Sequence, residues 1–197
     1  FLHANPGFLR PCHGVRPPGE RFLTLHAVDL SRAPDGRWWV LVDRTQAPSG
    51  VGYTVENRII LSRVMGEEFR SSQVQRLAPF FMRRKEGLRS LAPWTDSPNI
   101  VLLTPGPLNE TYFEHAYLAR YLGYPLVEGS DLTVRDRRVY LKTIEGLFPV
   151  DVIIRRVDDT FCDPLELRSD SFLGVPGLVE AARAGRAVAP QARAMRA

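Results

Sequence analysis

Apolar residues in this chain fall in short runs separated by proline- and glycine-rich turns, and the runs change character near its middle. In the first part, residues 22–28 and 37–43 read as strands, with Ala33-Pro34-Asp35-Gly36 supplying turn chemistry between them. The pair predicts a β-hairpin. Trp38, Trp39, Val40 and Val42 are aromatic or β-branched, so the second strand reads as buried. Residues 56–69 read as a helix carrying Ile59, Ile60 and Val64. Residues 71–84 read as a second helix, with Ser71 as N-cap and Val74, Leu77 and Phe81 on one side. Pro79 is expected to kink or end it.

A polar, proline-rich stretch over residues 92–98 is the best candidate boundary. After it the pattern changes. Residues 99–103 form a short apolar run closed by Thr104-Pro105-Gly106-Pro107, which suits a buried strand. Asn109 is placed to cap a helix that Gly123 terminates, and Leu126-Val127-Glu128 opens the next strand. This β-α-β pattern predicts parallel strands. Val134 and residues 138–141 flank an Asp136-Arg137 turn, residues 150–155 form another apolar strand, and Pro176 suits the first turn of a last helix. The fold class is therefore α/β.

Composition changes the picture little. The chain has 197 residues, 44% hydrophobic and 24% charged, as in ordinary globular proteins. No apolar run reaches the length of a membrane span, and the N-terminus lacks the basic start and apolar stretch of a signal peptide. Two cysteines and no export signal point to the cytoplasm. Residue 1 is not Met and reads as a cut start. Of 26 basic residues, 24 are arginines, spread along the chain. No helix-turn-helix, zinc or RNA-binding motif accompanies the net charge of +4, so a nucleic-acid partner is not expected.

Candidate chemistry gathers at strand ends. After the second strand come Asp43, Arg44 and Gln46, then the turn Pro48-Ser49-Gly50, then Glu56, Asn57 and Arg58. A strand end, a glycine turn and a helix start are where α/β proteins collect anion and metal ligands. Asp43, Gln46, Glu56 and Asn57 are hard oxygen donors that suit Mg²⁺. The alternative for the carboxylates is ion pairing with Arg44 or Arg58. Thr104-Pro105-Gly106-Pro107 is either a structural turn or a ligand loop. Glu114 and His115 face different directions on one helix, which favours packing or capping over an acid–base pair. Arg155, Arg156, Asp158 and Asp159 form either a loop-ordering ion-pair cluster or a grip on a substrate carboxylate or phosphate. Cys12-His13 lacks a third orienting group and reads as a buried cysteine.

Several segments carry a resemblance: F-L-x-A-N-P-G-F-L-R-P-C-H-G at the start, P-S-G-x-G-Y-x-x-E-N-R from Pro48, L-L-T-P-G-P-L-N-E-T-Y-F-E-H-A from Leu102, V-D-V-I-I-R-R-V-D-D-T-F-C-D-P-L from Val150, and G-V-P-G-L-V-E-A-A-R-A-G from Gly174. In this order they resemble the circularly permuted ATP-grasp proteins of type 2. The resemblance implies an N-terminal permuted ATP-grasp piece over residues 1–92, a β-hairpin followed by helices. It also implies a pre-ATP-grasp-like α/β domain with parallel strands over residues 99–189; residues 190–197 would be a disordered tail. It implies ATP and Mg²⁺ as cofactors. Ser49, Gly50, Asn57 and Arg58 would serve ATP or phosphate, and Asp43 and Glu56 the metal. Arg155, Arg156, Asp158 and Asp159 would serve the substrate, and no catalytic residue is assigned. The implied reaction is ATP-dependent carboxylate–amine ligation on small molecules by a bacterial protein. The family's lysine- and glycine-rich lid has no counterpart here, so the chain is expected to be incomplete and inactive alone. The rival reading is a non-catalytic α/β module that binds a small anion or a protein.

Overall fold

The computed structural model describes residues 4, 5 and 7–185. In chain order the elements are β1 (Ala27–Arg32), β2 (Trp38–Arg44), α1 (Val51–Val64), α2 (Gly66–Ser71), α3 (Ala78–Arg89), β3 (Ile100–Leu103), α4 (Tyr112–Leu122), β4 (Leu126–Val127), β5 (Leu132–Arg135), β6 (Arg138–Thr143), β7 (Gly146–Val150), β8 (Val152–Arg155) and α5 (Leu178–Arg183). They build three sheets: the antiparallel hairpin β1-β2, a parallel sheet in the order β4-β3-β8, and an antiparallel meander β5-β6-β7. This is a mixed α/β fold with parallel strands, as the sequence pattern indicates. No described helix is long and apolar enough to cross a membrane.

The parallel sheet is the centre. All four residues of β3 are buried, and so are all four of β8. Side chains alternate across a strand. Ile100, Leu102, Val152 and Ile154 therefore pack on one face with Val55 of α1, Phe81 and Leu88 of α3 and Leu118 of α4. Val101, Leu103 and Ile153 pack on the other with Leu132, Val139 and Val150 of the meander and Leu178 of α5. Burial on both faces explains why Ile100–Leu103 reads as an unbroken apolar run. The first core crosses the proline-rich stretch, since Leu91 and Ala92 share it with Ile100 and Leu118.

The hairpin lies where expected, but its strands differ from the sequence reading. The first begins at Ala27 rather than Phe22, and Gly36, at φ +86°, closes the turn. The second strand is not buried: every residue from Trp38 to Arg44 is exposed. Its apolar residues occupy both faces of a two-stranded ribbon, and no third described strand joins it. Such a ribbon has no layer to bury against.

The helical boundaries also shift. α1 starts at Val51, because Gly50 adopts φ +109° and turns the chain into the helix. At Met65 the backbone leaves the helical region (φ −124°, ψ 53°), so the expected single helix becomes α1 and α2. Ser71 ends α2 instead of capping the next helix; its hydroxyl donates back to the Glu68 carbonyl at 3.0 Å. Pro79 lies in the first turn of α3, where its missing N–H leaves no bond unmade. Asn109 precedes the cap of α4: its Oδ1 accepts the Thr111 N–H at 2.9 Å and the Thr111 hydroxyl at 2.6 Å. Pro176 precedes Gly177, which caps α5. The Asp163 carboxylate accepts the Gly177 and Val179 N–H groups at 3.2 and 2.9 Å there.

The strand expected over residues 150–155 is two strands in two sheets. Asp151, 4% exposed, is the pivot. Its carboxylate accepts the Asn99 N–H at 2.9 Å and the Trp94 indole N–H at 3.0 Å, and Arg138 approaches to 3.6 Å. These bonds hold the chain as it leaves β7 and enters β8. The expected tail over residues 190–197 lies outside the described residues.

Candidate functional site

The parallel sheet has a topological switch at β3. The chain leaves β3 through α4 to β4 on one side, and later returns to β8 on the other. Open α/β sheets bind ligands at the carboxyl ends of strands at such a switch. Here those ends are Leu103-Thr104 and Arg155-Arg156, and the loop before α1 reaches them.

Glu114, in the first turn of α4, is fully buried. Its Oε1 accepts the backbone N–H groups of Gly50 and Gly52, each at 2.8 Å. Its Oε2 faces the Arg156 guanidinium at 3.4 Å. The N-terminus of α1, an electropositive end with free N–H donors, thus holds a carboxylate from the protein itself. Glycine is required at position 52: a Cβ there would lie 2.8 Å from Glu114 Cγ. The capping role open to Glu114 in the sequence is real, but the helix it caps is a different one.

Arg155 and Arg156 are 2% and 7% exposed. Arg156 Nη1 donates to the Pro48 carbonyl at 3.0 Å. Arg155 Nη2 donates to Gln46 Oε1 at 3.3 Å, and its Nη1 donates to the Val157 carbonyl. Adjacent strand residues point to opposite sides. Both reach residues 46–48 because that loop lies across the strand ends. Burial lowers the pKa of Arg156 from its ordinary value, with Glu114 opposing the shift. Among the described residues neither Asp158 nor Asp159 pairs with either arginine. The exposed Asp158 accepts the Cys162 thiol on its carbonyl at 3.2 Å, and Asp159 accepts the Thr160 N–H at 2.8 Å.

The loop after β3 is held by one neutral histidine. Thr111 spends its proton on Asn109 Oδ1, so its oxygen accepts His115 Nε2–H at 3.0 Å. His115 Nδ1 is then the acceptor for the Thr104 hydroxyl at 2.9 Å, and Thr104 Oγ1 accepts the Gly106 N–H at 3.3 Å. This tautomer follows from satisfying every donor once. Burial, assisted by Arg156, pushes the His115 pKa down to about 4, so the ring is uncharged near neutrality.

The remaining candidates are more dispersed. Ser49 and Asn57 are exposed. Arg58 Nη1 donates to the Gln75 carbonyl at 2.8 Å. Asp43 contacts His26 Nε2 at 2.9 Å, and Arg44 takes Asp29 in a forked pair at 2.6–3.1 Å. Burial and the neighbouring Glu56 carboxylate raise the pKa of the Tyr117 hydroxyl. No group of three or more metal-ligating side chains exists among the described residues. Burial raises the pKa of the Cys12 thiol and pushes that of Cys162 up to about 11, which keeps both thiols protonated.

The geometry thus joins three of the segments that carry the resemblance, at Gly50–Gly52, Glu114 and Arg155–Arg156. The chain is 44% identical over 186 residues to an uncharacterized protein of Mycobacterium tuberculosis, covering 94% of this chain and 21% of that protein. It is 42% identical over 187 residues to an uncharacterized protein of Synechocystis, covering 94% and 39% respectively. An uncharacterized protein of Mycobacterium leprae is 45% identical over 182 residues, covering 92% and 32%. The chain therefore spans well under half the length of these relatives. The family described as circularly permuted ATP-grasp type 2 matches residues 1–192, and the chain belongs to it.

Proposed function

We propose that this chain is part of an ATP-dependent carboxylate–amine ligase acting on small molecules. The observation that carries the reading is the junction of Gly50, Gly52, Glu114 and Arg156 at the strand ends of the parallel sheet. In such a ligase ATP phosphorylates a carboxylate, and an amine displaces phosphate from the acyl phosphate. Residues 1–92 would supply the permuted piece and residues 99–189 the pre-ATP-grasp-like domain. The relatives extend well beyond the matched segment. The lid would come from that further sequence, and the exposed β1-β2 ribbon would add to the larger sheet.

The donor types fit the cofactors. Asp43 and Glu56 are hard carboxylates of the kind that hold Mg²⁺ together with phosphate oxygens and waters. Bound Mg²⁺ would draw charge off the phosphates. Ser49 precedes the start of α1 and would orient phosphate oxygens, with Asn57 and Arg58 further along the helix. Arg155 and Arg156 act as positioning residues, since both are buried and committed to the loop over residues 46–48. Asp158 and Asp159 are free of that pair and would face the amine substrate.

One observation favours the rival reading. The amides of Gly50 and Gly52 already hold a carboxylate, as in a module whose helix start is purely structural. Phosphate release by the full-length protein decides between them. The ligase releases phosphate from ATP only with Mg²⁺ and both substrates present, and the chain over residues 1–197 alone releases none. Absence of release from the full-length protein with a broad carboxylate and amine pool supports the module.

A further inference from the structure

A second cluster of cations lies away from the strand ends of the parallel sheet. A cavity of about 670 Å³ opens between the segment before β1 and helices α1 and α3. Five arginines line it: Arg21, Arg58, Arg76, Arg83 and Arg84. Among the described residues no aspartate or glutamate lines it. Among the described residues none of the five forms a salt bridge; the described ion pairs use other arginines. Unpaired cations crowded into one cavity repel each other, and a fold keeps such an arrangement most readily when an anion completes it.

The charge balance behind the cavity points the same way. Arg84 in its lining is close enough to Glu114 and Arg156 to feel both. These three groups hold two guanidinium charges against one carboxylate. Arg84 Nη1 is buried and lacks a hydrogen-bond partner among the described residues. Buried polar groups are nearly always satisfied, so this donor stands out. Burial and the like charge of Arg156 push the Arg84 pKa down to about 10. It remains a cation near neutrality, in need of a counter-charge.

We propose that this arginine-lined cavity binds a small organic polyanion, its charged groups being phosphates or carboxylates held by Arg76, Arg83 and Arg84. The volume falls within the range of small-molecule sites, roughly 300–1,000 Å³. Forked guanidinium donors suit either oxyanion. Leu77 and Phe80 in the wall offer apolar contact to the ligand's carbon part. The Arg21 guanidinium lies over Gly87 of α3. This assignment goes beyond the ligase reading and stands whether or not the chain takes part in ligation.

The test is calorimetric titration of the purified protein at constant ionic strength, with pyrophosphate in one arm and citrate in the other. The expected result is saturable one-to-one binding of at least one anion. The double variant Arg76→Gln/Arg83→Gln weakens that binding at least about tenfold, as the loss of two charge-assisted contacts requires. The pair Arg63→Gln/Arg70→Gln, exposed arginines outside the cavity, leaves it unchanged. The arm with tighter binding assigns the ligand to phosphates or to carboxylates. Arg76 and Arg83 are exposed, so the double variant keeps its fold, and an unchanged melting temperature verifies this. Overturning results are the absence of saturable binding in both arms, or equal weakening by both double variants.

Discussion

Glu114 and Gly52 stand 62 positions apart in the chain and meet at 2.8 Å, carboxylate oxygen to backbone N–H. The contact locks the start of α1 to the first turn of α4, and it leaves no room for a side chain at position 52. Gly52→Ala forces Cβ against Glu114 Cγ and is expected to destabilise the protein by about 1–3 kcal/mol, the usual cost of overpacking. Urea denaturation checks this, with a lowered midpoint and an unchanged slope.

Removing the carboxylate acts on the same junction from the other side. Glu114→Ala leaves Arg156 buried without its counter-charge and frees two amide donors. Breaking a buried pair in this way costs about 3–5 kcal/mol. The companion change Glu114→Gln keeps an acceptor for the amides and is expected to cost less. Equal losses in the two variants would argue that the charge on Glu114 contributes nothing.

His115 sets a pH dependence. Its folded pKa lies near 4 against an ordinary 6.5, so the unfolded chain binds the proton first. Stability therefore rises with pH in this window: the contribution is complete above about pH 6.5 and is lost as the pH falls toward 4. The shift corresponds to at most about 3 kcal/mol. His115→Gln should flatten this part of the stability–pH profile, measured by urea denaturation at several pH values.

The exposed ribbon gives a contrast between fold and assembly. Trp38→Thr and Leu41→Thr change exposed sites, so each is expected to alter stability of this chain by no more than about 0.5 kcal/mol. Leu103→Ala, at a fully buried site, should cost about 2–5 kcal/mol. A large loss from the ribbon changes in this chain would mean that the ribbon is covered within it.

Much of the fold was legible in the sequence because it rests on local rules. Ile100–Leu103 is a continuous apolar run, and a strand covered on both faces needs one. Gly123 ends α4 with φ +76°, and Asp136-Arg137 turns the meander with φ +49° and +58°. The exposure of Trp38–Val42 was not legible, because residue type indicates preference for a sheet and says nothing of what layer is available to cover it. The Asp151 pivot was hidden for a related reason: β7 and β8 are both apolar, and no periodicity marks a change of sheet. In the candidate site, residue types pointed to Arg155, Arg156 and the turn at Gly50. They did not reveal that Glu114 joins them, because helical spacing locates a side chain on its own helix and is silent about a partner 62 residues away. An acidic residue in a first helical turn, together with two glycines at another helix start, was the available signal. The five arginines of the cavity come from separated segments, so no stretch of sequence stands out as a cluster.

The ligase reading is tested most directly by following oxygen. The full-length protein is incubated with Mg²⁺-ATP, an amine pool and carboxylates whose oxygens carry a heavy isotope, and the released phosphate is analysed by mass spectrometry. Ligation through an acyl phosphate transfers one labelled oxygen from the carboxylate to each phosphate, and Glu56→Gln or Arg58→Ala lowers the yield by about 10²-fold or more, the usual effect of losing a group that stabilises transferring charge. Phosphate released without label, or labelled phosphate formed equally by these variants, would contradict the account.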